Sequence, residues 1–443
     1  MERKVRLHLI DSLGVMVAGS RLPEARAGRE GLERAPPGSP KAWILGWSGD
    51  FGLLSSAFQN AVHLDLLEAQ DGDRRGGFHP CEGAVPVALA LAGLSRARWR
   101  DLLLSLLVGY ETSLRFGRAL FPIQSETGHY PDGTCNAVGA AMTAQWLLDP
   151  GPEGLLSALA TSGFVLPLSL RPGLTGRAKG LLAGVAAETG LRAALWAREG
   201  HGAGAEVLLP PWDPLSVLTA GGASASPLPK GPPPWLTLAT YLKPFPGGRH
   251  AHGPVEALRS ILRAHPSVPS KVRSIEVQTY AAAVQYTGRP PHEGSPLAQL
   301  TQSLPYLLAI TVIDGQPLPS RFLSEERWTP ELQRLLPRIR VRSDPSMTRG
   351  YPRRTLCRVT LRTEEGDRWA AQRVHRWGDP ERPMSISDVQ GKFLEMLRPV
   401  LPGRVSERLF DHLWKARGSE VALEVLDRVQ ERILSEGLTP APS

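Results

Sequence analysis

Apolar positions recur at helical spacing through most of this chain. Leu9, Ile10, Leu13, Met16 and Val17 form one stripe and Gly19 ends it, which predicts an amphipathic helix at the start. Residues 21–48 break the pattern with Pro and Gly and read as a connection. Residues 53–67, rich in Ala and Ser, predict a buried helix. Residues 85–94 and 99–120 predict two more, the second carrying Leu102, Leu103, Leu106, Leu107 and Tyr110 on one face. Residues 133–148 are built largely from Gly and Ala, so the helix they form can approach its neighbours closely. Segments 155–160 and 179–197 continue the pattern, and nothing before about residue 240 reads as a strand.

The pattern changes beyond the Gly-, Ser- and Pro-rich stretch 221–234. A helix at 255–264 is followed by VRSIEVQTY (272–280), where β-branched and polar residues alternate with period two. Residues 296–313 return to helix. Segments 339–344, 355–363 and 368–377 read as strands, the last two joined by a turn at 364–367 that contains Gly366. From Ser385 the chain is helical again, at 389–397, 406–416 and 420–434, and residues 438–443 should fray. The expected fold is mainly α with an α+β second domain. Residues 1–242 would form a helical domain, 243–385 an α+β block, and 386–443 helices that complete the first domain.

Composition narrows the partners. The 443 residues carry 51 Lys and Arg against 43 Asp and Glu, a net charge of +8. The arginines are scattered and no zinc-finger or RNA-binding signature is present, so a small anion is preferred to nucleic acid. Cys81, Cys135 and Cys357 are far apart, which supports neither a disulfide frame nor a zinc site and fits a reducing cytoplasm. The opening MERKVRLHLIDSLG reads as helix without a cleavage site, so no signal peptide is expected. The long uncharged runs 154–170 and 294–313 contain Pro and several Ser, Thr or Gln, as buried helices do, so no membrane partner is expected.

The chemistry concentrates in residues 68–84, EAQDGDRRGGFHPCEGA. This stretch sets Glu68, Asp71, Asp73, Arg74, Arg75 and His79 in a glycine-rich loop between two apolar helices, where such groups are costly unless paired or used.

The order of motifs resembles the MmgE/PrpD family, which includes 2-methylcitrate dehydratases, cis-aconitate decarboxylases and iminodisuccinate epimerases. DSLGVMVAGS (11–20) resembles the family opening. The acidic–glycine–His-Pro loop resembles Asp71, Gly72, His79 and Pro80. GHYPDGTCNAVGAA (128–141) resembles the second histidine loop and AKGLLAG (178–184) the lysine segment. LKPFPGGRHAH (242–252) is similar to the Lys-Pro crossover, and SLPY (303–306) to the segment with the active-site tyrosine. RVRSDPSMTRGYPRR (340–354) and GDPERPMS (378–385) are similar to two further signatures.

The resemblance implies a homodimer, and proton transfer next to a carboxylate without metal or organic cofactor. Asp71 and His79 match acid–base positions; read from the residues alone, Asp71 could instead cap a helix and His79 could be a buried, bonded imidazole. Tyr130 stands where the family has His, with His129 one residue earlier, so either could serve. Lys179 matches the active-site lysine, as carboxylate clamp rather than surface lysine, and Tyr306 could donate a proton or cap the core with its hydroxyl satisfied. Arg74, Arg75, Lys243, Arg249, His250 and His252 are candidates for holding carboxylates. Gly72 replaces the family threonine, and Leu182 stands where many members have His. The expected function is a cofactor-independent hydro-lyase of the 2-methylcitrate dehydratase type. The alternatives are an epimerase or isomerase, a decarboxylase, or a non-catalytic carboxylate-binding homologue.

Overall fold

The stripe at the start of the chain becomes α1 (Glu2–Gly19), buried without interruption from Val5 onward because helices cover it on several sides. The computed structural model describes residues 1–26, 29–36, 38–121, 128–211, 213–219 and 234–437. The stretch 221–233 and the last residues, 438–443, lie outside the described residues. Six further long helices follow: α2 (Leu53–Asp65), α3 (Cys81–Ser95), α4 (Trp99–Leu120), α5 (Pro131–Leu148), α6 (Pro152–Phe164) and α7 (Lys179–Arg198). The Gly- and Ala-rich α5 lies at their centre, against α3, α4 and α7. A Cβ on Gly83 of α3 would sit 2.2 Å from the Asn136 carbonyl oxygen, and one on Gly190 of α7 would sit 2.2 Å from that of Ala137. Glycine is therefore required for these helices to meet backbone to backbone.

The α+β part begins with α8 (His252–Ala264), followed by β1 (Val272–Thr279), α9 (Leu304–Asp314), β2 (Ile339–Ser343), β3 (Cys357–Thr363) and β4 (Arg368–Arg373). The sheet order is β2-β1-β3-β4. β1 runs parallel to β2, with Ile275 opposite Ile339. It runs antiparallel to β3, with Val277 opposite Val359. β3 and β4 form the expected hairpin, Leu361 opposite Trp369. α8 covers β3 and β4 and packs against α9.

Three of the boundaries that differ from the sequence reading each turn on one side chain. The helix expected over 296–313 breaks at Ser303, whose hydroxyl accepts the Tyr306 N–H and starts α9. β2 stops at Ser343 because Asp344 caps a short helix, Pro345–Gly350. β4 stops at Arg373 rather than 377; beyond it the Asp379 carboxylate takes the Arg376 N–H at 2.9 Å and turns the chain.

The chain ends with α10 (Ile386–Leu397), α11 (Gly403–Lys415) and α12 (Ala422–Glu436). α10 packs on α1, with the Phe393 ring 2.8 Å from where a Cβ on Gly14 would lie and Lys392 paired to Asp11 at 2.6 Å. Arg6 of α1 donates to the carbonyls of Leu413, Trp414 and Ala416, capping the C-terminal end of α11. Trp99 N–H at the start of α4 donates to the Glu420 carbonyl at 2.7 Å. No helix among the described residues is long and apolar enough to cross a membrane.

Candidate active site

A cavity of about 600 Å³ lies between the helices and the α+β part, within the range of small-molecule sites. The loop between α2 and α3 supplies Glu68, Asp73, Arg74 and His79, and the second loop supplies Tyr130. The crossover and the α+β part supply Tyr241, Arg249, His250, Tyr286, Tyr351 and Arg376.

The loop is held from both chain ends. Gly72 and Tyr241 exchange backbone hydrogen bonds of 3.1 and 2.9 Å, and Lys392 of α10 donates to the Ala69 carbonyl at 2.6 Å. Glu68 has a left-handed backbone, φ +51°, unusual for a non-glycine residue. Its surroundings enforce it: Gly247 N–H binds its carbonyl, and three side chains bind its carboxylate. Lys179 reaches Oε1 at 2.6 Å, Lys243 reaches Oε2 at 2.8 Å, and Gln302 donates to Oε1 at 2.6 Å. Burial would push this carboxyl up, but the two lysines outweigh it and hold it well below the usual carboxylate range.

His79 turns Nδ1 to the backbone carbonyl of Asp71. A carbonyl only accepts, so Nδ1 carries the hydrogen and Nε2 keeps its lone pair. Burial, reinforced by Lys243, lowers this imidazole to about 3, so it is neutral at ordinary pH. The His79 backbone N–H donates to Asp132 at 2.8 Å. Burial pushes Asp132 up to about 7 and Glu82 well above its ordinary value. Burial likewise keeps the Tyr130 and Tyr241 phenols protonated.

Gly72, where the family has threonine, makes room for a neighbour. A Cβ there would lie 2.3 Å from the Tyr241 hydroxyl and 2.9 Å from His79 Nδ1. The phenol thus occupies the volume a side chain at 72 would need.

The cavity wall also carries arginines. Arg249 pairs with Asp379 and lies over the Tyr241 ring, 4.3 Å from its centroid. Its Nε and Nη1, and the Nε of Arg376, are buried and make no hydrogen bond among the described residues. Arg74 pairs with Glu381 at the cavity edge.

Of the residues singled out by sequence, His79, Tyr130, Arg74, Arg249 and His250 therefore line the cavity, and seven do not. Asp71 lies behind the loop, fully buried, and its carboxylate accepts from His8 Nδ1 and from the Tyr110 hydroxyl at 2.6 Å. Its backbone carbonyl, not its carboxylate, touches His79. Lys179 is 7% exposed and bridges Asp65 and Glu68 instead of facing the cavity. Lys243 is likewise spent on Glu68 and on Gln70 at 3.2 Å. Tyr306 is a core residue whose hydroxyl donates to the Arg327 carbonyl at 2.8 Å. His252 stacks on Phe245 at 4.2 Å and is bonded to the Gly247 carbonyl. Arg75 is exposed, and His129 pairs through its backbone with Leu170. Tyr241, Tyr286, Tyr351 and Arg376 are among the lining residues that sequence reasoning did not select, and Glu68 was named with the loop but given no role. Glu68 was readable as the first acid of the loop; nothing in the sequence marks Arg376 or Tyr241.

Two clusters among the described residues bring carboxylate and imidazole atoms within 4.8 Å of one another: His79–Glu82–Asp132 and His375–Asp379–Glu381. In the first, Glu82 already accepts from Gln70 and Asn136, and Asp132 from His79 N–H. In the second, Asp379 and Glu381 are paired with arginines.

Residues 1–225 match the MmgE/PrpD N-terminal domain and residues 245–416 the MmgE/PrpD C-terminal domain. Cis-aconitate decarboxylase from Aspergillus terreus is 23% identical over 335 residues, covering 71% of this chain and 68% of the relative. Cis-aconitate decarboxylase-like protein oryM from Aspergillus oryzae is 22% identical over 345 residues, 71% of this chain and 69% of the relative. With both domain matches spanning most of its length, the chain belongs to the MmgE/PrpD family.

Proposed function

We propose that this protein is a lyase acting on a small di- or tricarboxylate, by proton transfer at a carbon next to a carboxylate. One observation carries the reading: a neutral histidine, its Nε2 without a hydrogen bond among the described residues, lines one cavity with Arg249 and Arg376, which keep buried guanidinium N–H groups that no described residue satisfies. Unsatisfied guanidinium groups in a buried wall suit carboxylates, which accept two parallel hydrogen bonds. His79 Nε2 takes the proton, Arg249 and Arg376 hold the substrate, and the Tyr130 phenol is the further proton donor.

Within this class the first reading is a hydro-lyase of the 2-methylcitrate dehydratase type, in which the electron pair left by the proton expels hydroxide. A second reading, loss of carbon dioxide, is favoured by the relatives' names. A homodimer belongs to the same proposal, supported by the exposed side chains of Phe164, Leu168 and Leu170. So does a reducing cytoplasmic setting, supported by three free, buried thiols.

The test is a panel of citrate, 2-methylcitrate, cis-aconitate and smaller diacids, followed by proton NMR in heavy water. An unsaturated product means dehydration, evolved carbon dioxide means decarboxylation, and exchange alone means epimerase-like chemistry. Absence of all three would leave a carboxylate-binding homologue and refute the proposal.

A further inference from the structure

His250 enters the cavity wall just past the crossover, and its surroundings fix which ring nitrogen carries the hydrogen. Nδ1 lies 2.7 Å from the hydroxyl of Tyr280, which is 1% exposed. The same hydroxyl receives a hydrogen bond from Arg376 Nη2. A guanidinium only donates, so the phenol oxygen accepts on that side, and among the described residues His250 Nδ1 is the one acceptor within reach of its single hydrogen. Nδ1 therefore accepts, and in the neutral ring the hydrogen sits on Nε2. Tyr286 stacks on the imidazole at 5.3 Å and 7°, and Tyr351 stacks on Tyr280 at 4.6 Å and 12°. Ring plane and tautomer are thus both held. His79, on the same cavity, has the opposite tautomer, with Nδ1 donating and Nε2 accepting.

We infer that Arg376 and Tyr280 lock His250 as a hydrogen-bond donor through Nε2–H, aimed at the substrate carboxylate on which charge builds when His79 removes the neighbouring proton. The inference rests on the carboxylate reading above. As the C–H bond breaks, its proton goes to His79 Nε2 and its electron pair spreads onto the adjacent carboxylate oxygens. Nε2–H of His250 donates to one of those oxygens and keeps its hydrogen. A fixed donor aimed at developing charge lowers the barrier more than it tightens ground-state binding. In the other tautomer a lone pair would face the same oxygen and repel it. Arg376 and Tyr280 act here as positioning residues.

The test has a spectroscopic arm and a kinetic arm, both on the full chain. Long-range proton–nitrogen NMR of ¹⁵N-histidine-labelled protein, assigned with His250→Gln, should show His250 neutral and protonated on Nε2. Tyr280→Phe should make the second tautomer visible and lower kcat by on the order of 10-fold or more, with KM nearly unchanged. In the kinetic arm, His250→Gln puts an amide N–H near the place of Nε2 and should retain much of the activity. His250→Asn puts it near Nδ1 and should lose roughly 100-fold. A ring protonated on Nδ1, or His250→Asn as active as His250→Gln, overturns the inference. A correctly protonated His250 in a protein that neither turns over the carboxylate panel nor binds citrate overturns the functional reading itself, and the catalytic role of His250 with it.

Discussion

Lys179→Ala separates two accounts of this lysine. If it clamps a substrate carboxylate, its loss lowers kcat/KM and leaves the melting temperature alone. The structure assigns it differently. Its ammonium contacts Asp65 and lies 2.6 Å from Glu68 Oε1, with 7% of the residue exposed. Alanine would leave two buried carboxyls, with Lys243 and Gln302 reaching Glu68, and the Gln70 side-chain amide, at 3.0 Å, and the Glu82 carboxyl reaching Asp65. Removing one partner of a buried ion pair costs about 3–5 kcal/mol. Burial already pushes Asp65 up, so it relieves part of this cost by taking a proton, which favours the lower figure. At roughly 2 °C per kcal/mol for a long chain, Tm should fall by roughly 6 °C. kcat/KM should fall as well, because Glu68 loses a cation that keeps it ionised. Removing the pair together, as Asp65→Asn with Lys179→Met, should restore much of the lost stability, since no buried charge is stranded at that position. Scanning fluorimetry and initial rates on the three proteins decide it. A Tm within about 1 °C of wild type, with kcat/KM down by an order of magnitude or more, would refute the anchoring role and make Lys179 a clamp.

Gly72→Ala places a methyl group 2.3 Å from the Tyr241 hydroxyl and 2.9 Å from His79 Nδ1. Overpacking of this kind costs about 1–3 kcal/mol and should lower kcat/KM on the order of 10-fold by displacing the imidazole, with unchanged kinetics as the contrary result. The Asp71 carboxyl lies at about 2 in the fold: burial would raise it, but His8 and the hydrogen bonds from His8, Tyr110 and Cys81 outweigh that. A depressed carboxyl contributes stability above its unfolded value near 4 and loses it as pH falls towards 2, here about 2 kcal/mol. Urea midpoints between pH 6 and 2 should therefore drop more steeply for wild type than for Asp71→Asn, and parallel curves would contradict this. Activity should survive exhaustive chelation and dialysis; a loss restored by one added metal would place an ion at His79–Glu82–Asp132.

The helical periodicity of α1 to α7 and the alternation in β1 were readable because burial imposes them directly on the sequence. The close packing of α5 was readable for the same reason, since only Gly and Ala admit neighbouring backbones at that distance. The helix and strand ends at Ser303, Asp344 and Asp379 were not, because each depends on one capping side chain. In the site loop the sequence exposed the right stretch but not the direction each side chain takes. Asp71 and Glu68 are both acids three residues apart, yet one turns to His8 and Tyr110 and the other to the cavity. What separates them is the left-handed backbone at Glu68 and cations from α7 and the crossover, which are tertiary facts. Arg376 enters the cavity wall only because the chain turns after β4, and no local pattern announces that.

The central claim is that His79 Nε2 removes a proton next to a substrate carboxylate, and deuterium exchange tests it most directly. Wild-type protein and His79→Gln would be incubated in heavy water with the carboxylate that the panel identifies, and deuterium in recovered substrate and product followed by NMR. The account predicts exchange or product in wild type and a fall of roughly 100-fold or more in His79→Gln, with the melting temperature preserved within a few degrees. Exchange at the wild-type rate in His79→Gln would contradict it.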